Sequence, residues 1–116
     1  MAVLGAVLPT SQIRHQGVEQ AAREILDVTD RADLDGYWIH LDVDILDPKV
    51  MPAVDSPDPG GLSAAELTEL LTALAPRAVG AQVTVFDPDL DPDGAHARLL
   101  TDILVTGLAP LSRDRR

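Results

Sequence analysis

The sequence predicts an α/β fold in which helices flank a parallel sheet. Segments with strand-like and helix-like patterns alternate along the chain, which is typical of parallel strands joined by right-handed helical crossovers. Hydrophobic residues make up 46% of the sequence and aromatic residues only 3%, so we expect an aliphatic core. A length of 116 residues allows one domain and is short for this architecture. We therefore expect residues 1–116 to form a single partial domain.

The first half of the chain contains one predicted helix and a predicted central strand. The short apolar segment 2–8 predicts a first strand, but the patterns of 1–17 and of the polar tail 112–116 are poorly defined. Apolar residues recur with helical spacing over 18–28 and predict a helix with one apolar face. A polar connection then leads to a strand over 37–45. Because this strand is apolar on both faces, we expect helices to cover both faces of the sheet.

The second half adds two helices and one further strand. Ser63 and Glu66 have the spacing of a capping box, in which each side chain accepts a hydrogen bond from the backbone of the other residue. The helix that follows carries leucines on one face and is predicted to end at Pro76. Segment 78–86 predicts the next strand, and 95–106 predicts the last helix.

The charge distribution limits the classes of partner. A net charge of −10 argues against binding to nucleic acid or to an anionic membrane, because phosphate binding requires clustered Lys and Arg. Aspartates concentrate in two loops, 42–58 and 87–93, which indicates local cation binding; the alternative is solvated turns. The apolar start is too short to span a membrane and lacks the basic residues of a signal peptide. We expect a soluble, cytoplasmic protein.

Asp42 and Asp44 are the first candidate metal ligands. They end the predicted central strand, and ligands of α/β sheets bind at the carboxyl ends of strands. Alternate strand residues share a face, so the two carboxylates should lie side by side, with Trp38 and His40 behind them. Neighbouring carboxylates repel one another unless a cation lies between them. The alternative is that these aspartates only cap a turn at the strand end.

His40 is a candidate supporting residue, because it lies two positions before Asp42 on the same face. Its ring could donate to a carboxylate ligand or take a proton. The alternative is an ordinary histidine that is hydrogen-bonded within the sheet. Asp89, Asp91 and Asp93 resemble the start of a calcium-binding loop, but the required glutamate is absent, so we interpret this segment as a turn.

The spacing after Asp44 is more specific than the aspartate pair. Three residues separate Asp44 from Pro48 and Pro48 from Pro52, and Gly61 follows Ala53 after seven more. This pattern resembles the signature of the ureohydrolase family, which includes arginases, agmatinases and formiminoglutamases. The resemblance covers about residues 37–108. Further matches lie at 60–63 (Gly-Gly-Leu-Ser), 78–80 (Ala-Val-Gly) and 87–91 (Asp-Pro-Asp-Leu-Asp).

The resemblance implies the C-terminal part of a three-layer arginase-like fold that hydrolyses C–N bonds of linear amidino or guanidino compounds. The family uses two Mn²⁺ ions that activate a bridging water, and Asp42 and Asp44 match one of its carboxylate pairs. Its other ligands, a lone His and an Asp-x-His-x-Asp motif, have no counterpart here. The resemblance thus implies a half-site that is weak or inactive alone.

The resemblance also bears on the substrate. Guanidino-specific members carry a Glu three residues before the proline of the third loop, where it pairs with the cationic substrate. Val85 occupies that position here, and Asp87 stands directly before Pro88. Arginase-type specificity is therefore not expected. Asp87 is the candidate carboxylate on the substrate side.

Two alternatives to a ureohydrolase remain open. Haloacid-dehalogenase phosphatases also use a strand that ends in Asp-x-Asp, although Leu46 and the lone lysine, Lys49, do not match their pattern. The other alternative is a non-catalytic remnant or subunit. A small sheet leaves unpaired edges and apolar surface, which predicts a homo-oligomer or association with a complementing chain.

Overall fold

The computed structural model describes residues 13, 15–29, 36–53 and 60–111, which form an α/β domain. In that part of the chain, two parallel strands are packed with three α-helices. In chain order the elements are α1 (Val18–Thr29), β1 (Tyr37–Asp42), α2 (Ala64–Leu74), β2 (Ala78–Thr84) and α3 (Ala95–Gly107). The predicted fold class and all three predicted helices are confirmed. The strand predicted over 2–8 and the tail 112–116 lie outside the described residues.

The sheet joins β1 and β2 in parallel. Ile39 lies opposite Ala81 and Leu41 opposite Val83, and these residues face the core. The register shifts at the start of the sheet, because Tyr37 pairs with Ala78 while the next residue of β1 pairs with Gly80. The Tyr37 hydroxyl donates a hydrogen bond to the carbonyl of Leu74, which fixes the end of α2 against β1.

The core is aliphatic, as the composition predicts. Helices α2 and α3 pack against each other where Gly107 meets Leu71: a Cβ at residue 107 would lie 2.8 Å from the Leu71 Cβ. The capping box at the start of α2 is present, with the Ser63 Oγ accepting from the Glu66 N–H at 3.1 Å and Glu66 Oε1 accepting from the Ser63 N–H at 3.0 Å. The largest fully buried side chains are Ile13, Leu46, Met51, Leu62, Leu67, Leu71 and Val43.

Gly61 allows the loop after β1 to close against the chain. Leu46 and Leu62 form a parallel bridge, through hydrogen bonds from Asp47 N to Leu62 O (3.0 Å) and from Leu62 N to Ile45 O (2.8 Å). A Cβ at Gly61 would lie 2.5–2.6 Å from backbone atoms of residues 45–47. Only glycine permits this approach. The glycine of the family spacing therefore has a packing reason.

Two expectations about the central strand are wrong. The strand predicted over 37–45 ends at Asp42, and Val43–Ile45 form a 3₁₀ turn. The chain changes direction there because Val43 is fully buried and Leu46 pairs with Leu62. Helices were also expected on both faces. Ile39 and Leu41 are buried, but the side chains on the opposite face of β1 are exposed.

None of the helices in the described part of the chain combines the length and the apolar character needed to cross a membrane.

Candidate metal centre

Asp42 and Asp44 both lie at the carboxyl end of β1. Asp42 is the last residue of the strand, whereas Asp44 belongs to the turn that follows it. Asp42 is exposed and is the N-cap of the 3₁₀ turn Val43–Ile45. Its Oδ1 accepts a hydrogen bond from the Asp44 backbone N–H at 3.1 Å. Asp44 is half-buried within that turn. The expectation that the two side chains share a strand face is therefore wrong.

His40 is held by the neighbouring strand. Its Nε2 lies 3.1 Å from the Thr84 Oγ1, and Thr84 lies opposite Asp42 in the sheet. The imidazole is exposed on the same face as Asp42. This contact matches the alternative reading of His40 as a histidine hydrogen-bonded within the sheet. It also fixes the ring beside the carboxylate pair.

Asp87 caps a turn that follows β2, as Asp42 caps the turn at the end of β1. It is the N-cap of a second 3₁₀ turn, Pro88–Leu90, and its Oδ1 accepts from the Asp89 N–H at 3.0 Å. The Asp87 backbone N–H donates to the Ala53 carbonyl at 2.8 Å. This hydrogen bond joins the loop after β2 to the loop after β1. The two strand ends, each followed by a capping aspartate, thus form one edge of the sheet.

Val85 has an unusual backbone conformation between β2 and Asp87. Its φ of 74° is the one positive value at a non-glycine residue in the described ranges, and β-branched side chains rarely adopt it. Ala81 and Val83 pack against the core, and so does Phe86, while Val85 is 37% exposed. The left-handed residue therefore reverses the strand alternation, turning Phe86 toward the core ahead of Asp87. No local sequence pattern predicts this conformation.

Several other aspartates of the acidic loops serve the backbone. Asp47 accepts from the N–H groups of Lys49 (2.9 Å) and Gly60 (3.0 Å), and the Lys49 hydrogen bond is the main reason that the pKa of Asp47 is lowered. Asp93 Oδ1 accepts from the Ala95 N–H at 3.1 Å. These contacts favour the turn interpretation over cation binding for much of the acidic charge.

Asp91 is the buried aspartate of the second acidic loop. Its two carboxylate oxygens accept from the N–H groups of His96 (2.9 Å) and Ala97 (2.8 Å) in the first turn of α3. Burial is the largest single effect and opposes ionisation, but these two hydrogen bonds together with the charges of His96 and Arg98 outweigh it and lower the pKa of Asp91. Asp91 therefore caps a helix, and the interpretation of this segment as a turn is confirmed.

The chemistry of the pair fits part of a manganese site. Carboxylate oxygens are hard donors that suit Mn²⁺, and Asp42 and Asp44 supply them at one strand end. Within residues 13, 15–29, 36–53 and 60–111, no group of three or more His, Asp or Glu side chains could hold a metal ion. Asp42 and Asp44 are therefore candidate ligands only, and the described residues around them form no complete metal site.

Comparisons with known proteins identify the class. An arginase-family model matches residues 4–109. The chain is 32% identical to formimidoylglutamase of Bacillus subtilis over 99 residues, which are 83% of this chain and 30% of that protein. It is 38% identical to the mitochondrial arginase 1 of Arabidopsis thaliana over 74 residues, or 64% of this chain and 22% of the relative.

The solved structures agree. Proclavaminate amidino hydrolase from Streptomyces clavuligerus superposes with a TM-score of 0.78 and 26% identity, covering 94% of this chain and 36% of that structure. The fold is thus that of an arginase-like α/β domain with a carboxylate pair at a strand end. The chain belongs to the arginase family, which argues against the phosphatase alternative. It spans only 22–36% of the length of these three relatives.

Proposed function

We propose that this chain supplies Asp42 and Asp44 to a binuclear manganese site that hydrolyses C–N bonds of linear amidino or guanidino compounds. The observation that carries the proposal is the position of the pair at the carboxyl end of β1, inside the stretch that matches the arginase family. When bound, two manganese ions lower the pKa of a shared water and supply hydroxide at neutral pH.

The residues of this chain have separate tasks in that proposal. The Asp42 and Asp44 carboxylates hold cations, and the Asp44 N–H orients the Asp42 carboxylate through Oδ1. His40 contacts the Thr84 hydroxyl and lies on the same sheet face as Asp42. These contacts support a strand end at which the His40 and Asp42 side chains are already held by hydrogen bonds.

Asp87 is the proposed carboxylate on the substrate side. It follows β2 at the same sheet edge as Asp42, and its backbone is bonded to the first loop at Ala53. A carboxylate there can pair with a cationic amidinium group. Val85 offers only an apolar side chain. We therefore favour an amidino or formimidoyl substrate over arginine.

The isolated chain is proposed to be weak or inactive. Two carboxylates hold a divalent ion less firmly than a complete ligand set, so we propose that the remaining ligands lie outside these 116 residues, for instance on a complementing polypeptide. Such a partner, like the cytoplasmic location expected from the sequence, stays a prediction. Cell fractionation tests the location.

Manganese titration by calorimetry tests the half-site. We expect at most one ion per chain, with a dissociation constant on the order of 10⁻⁴ M or weaker. Asp42→Asn keeps an oxygen that can cap the 3₁₀ turn but removes the charge, so it should abolish binding without unfolding the chain. Asp44→Asn should do the same. Asp102→Asn, at an exposed position on α3, is the matched control and should bind as the wild type does.

Two outcomes contradict the proposal. Tight binding of two ions per chain would mean that these 116 residues hold a complete site. Binding that survives Asp42→Asn and Asp44→Asn together would place the ion elsewhere, for instance among the aspartates of the second loop.

A further inference from the structure

The end of β2 does not continue the alternation of the strand. Along β2, Ala81 and Val83 pack against the core, whereas Gln82 between them is exposed. Regular alternation would place residue 85 inward, residue 86 outward and residue 87 inward. The structure has the reverse, because Phe86 packs against the core and Val85 is 37% exposed. Val85, with its φ of 74°, is the residue at which the chain changes side.

This reversal decides where the Asp87 carboxylate lies. In regular alternation the carboxylate would enter the aliphatic core beside Ala81 and Val83. A buried carboxylate without a partner costs more free energy than one residue in the left-handed region. The reversal instead keeps Asp87 half-buried at the edge of the sheet, where its Oδ1 accepts a hydrogen bond from the Asp89 N–H at 3.0 Å. The apolar Phe86 takes the inward place.

Contacts on both sides hold Val85 in this conformation. Directly after it, Phe86 packs against the core, and the Asp87 N–H donates to the carbonyl of the fully buried Ala53 at 2.8 Å. Directly before it, Thr84 is paired within the sheet. Strained residues persist where the surrounding structure determines their conformation, and they concentrate at functional sites. The conformation of Val85 is therefore a reason to look for a function.

The reversal also brings Asp87 to the edge that carries the candidate metal ligands. Thr84, the last residue of β2, lies opposite Asp42 in the sheet. Asp42 and Asp87 each cap the turn that follows their strand. The Asp87 carboxylate is thus presented at the same end of the sheet as the proposed reaction.

We propose that Val85 is a positioning residue for the substrate-side carboxylate, because its left-handed backbone turns Asp87 out of the core and presents it to the amidinium group of the substrate. The inference rests on the proposed function for what Asp87 binds, and on the backbone after β2 for how it is placed. An amidinium group offers two parallel N–H donors, which a carboxylate accepts as a bidentate pair. A residue that admits a positive φ at position 85 should keep this pairing, and a residue that forbids it should lose it.

The test follows the pairing by NMR in the absence of manganese. Acetamidinium chloride is titrated into the chain, with ammonium chloride as the matched salt. The Asp89 N–H donates to the Asp87 carboxylate, so its signal reports what that carboxylate binds. We expect acetamidinium, and not ammonium, to shift this signal. Asp87→Asn removes the charge and should abolish the shift.

Substitutions at position 85 separate the backbone conformation from stability. Val85→Gly admits a positive φ and should retain the acetamidinium shift. Val85→Pro fixes φ at about −65° and should lose the shift. Val79→Gly, at a valine of similar exposure in β2 without positive φ, is the matched control. It should lower the stability of the chain and leave the shift unchanged, because it does not alter the reversal.

A second experiment does not depend on the folding of Val85→Pro. Phe86→Asp combined with Asp87→Phe keeps the composition but suits regular alternation, with the polar residue outward and the apolar residue inward. In the wild-type chain the positive φ of Val85 should give a strong NOE between its own N–H and Hα, and the double variant should lose it. Phe86 is the only phenylalanine, so NOEs from its ring to core methyl groups report its inward placement without overlap.

Three results overturn the inference. One is a wild-type chain in which acetamidinium shifts the Asp89 signal no more than ammonium does. Another is a shift that survives unchanged in folded Val85→Pro, and the third is a positive φ at Val85 that persists in the double variant. Failure of the manganese titration alongside the expected acetamidinium response would count against the metal site alone and would support the placement of Asp87.

Discussion

At the scale of single residues, the acidic loops show how one residue type serves two purposes. Asp47, Asp91 and Asp93 accept backbone hydrogen bonds, which is the common role of aspartate in turns. Asp42 and Asp87 have the same local role, yet they also stand at the ends of neighbouring parallel strands. Position in the sheet, and not residue type, makes these two candidates for chemistry.

The strained residue Val85 yields a prediction about stability. Val85→Gly should lower the free energy of unfolding by about 1–2 kcal/mol less than Val79→Gly does, because it also relieves the left-handed conformation of residue 85. Val79→Gly makes the same change in β2 at a valine of similar exposure without positive φ, and should destabilise. Urea denaturation measures both. Equal destabilisation by the two substitutions would contradict the strain at Val85.

The capping residue Asp91 yields a prediction about pH. Its lowered pKa means that the folded state favours the carboxylate, so its contribution to stability is complete above the pKa of the unfolded chain, about 4, and is lost as the pH falls through the lower folded value. Asp91→Ala should lower the Tm at pH 7 by about 5 °C. It should also flatten the fall of Tm between about pH 5 and pH 2, which is the interval over which native carboxylates with a lowered pKa take up protons.

The matched control for Asp91 is Asp102→Ala, which changes an exposed aspartate of α3. It should leave both the Tm and its pH dependence close to those of the wild type. A pH profile of Asp91→Ala parallel to that of the wild type would mean that the hydrogen bonds to His96 and Ala97 do not stabilise the carboxylate.

At the scale of elements, the loop after β1 is the part most sensitive to substitution. It leaves the strand through a 3₁₀ turn, pairs Leu46 with Leu62, and delivers the chain to the capped start of α2. Gly60 and Gly61 are adjacent in this loop but are needed for different reasons. Gly60 has a φ of 90° with open space around it, whereas Gly61 lies against backbone.

The two glycines therefore give a paired prediction. Gly60→Ala should cost about 1–2 kcal/mol, the usual penalty for an L-residue in the left-handed region. Gly61→Ala should cost more, about 3 kcal/mol or above, because its Cβ would meet backbone atoms that cannot move independently of the Leu46–Leu62 bridge. Chemical denaturation measures the loss of unfolding free energy in each variant and shows which loss is larger. A larger loss for Gly60→Ala would contradict the close approach at Gly61.

At the scale of the whole molecule, the chain is a packed domain with one unpacked side. Three helices and one face of the sheet share a single aliphatic core, while the other face presents Trp38 and the candidate ligand Asp42. The exposed side chains of β1 and the candidate ligand Asp42 lie on the same side of the sheet.

The sequence by itself determined the helices, the fold class and the family. Helix periodicity, the Ser63–Glu66 capping box and the Pro/Gly spacing after Asp44 are local patterns, so they can be recognised in the sequence without a structure. Tertiary structure decided where β1 ends, which side of the sheet is buried, the conformation of Val85 and the capping role of Asp91. Each depends on contacts between segments distant in sequence, such as the bridge that joins Leu46 to Leu62, and hydrophobic pattern alone does not encode such contacts.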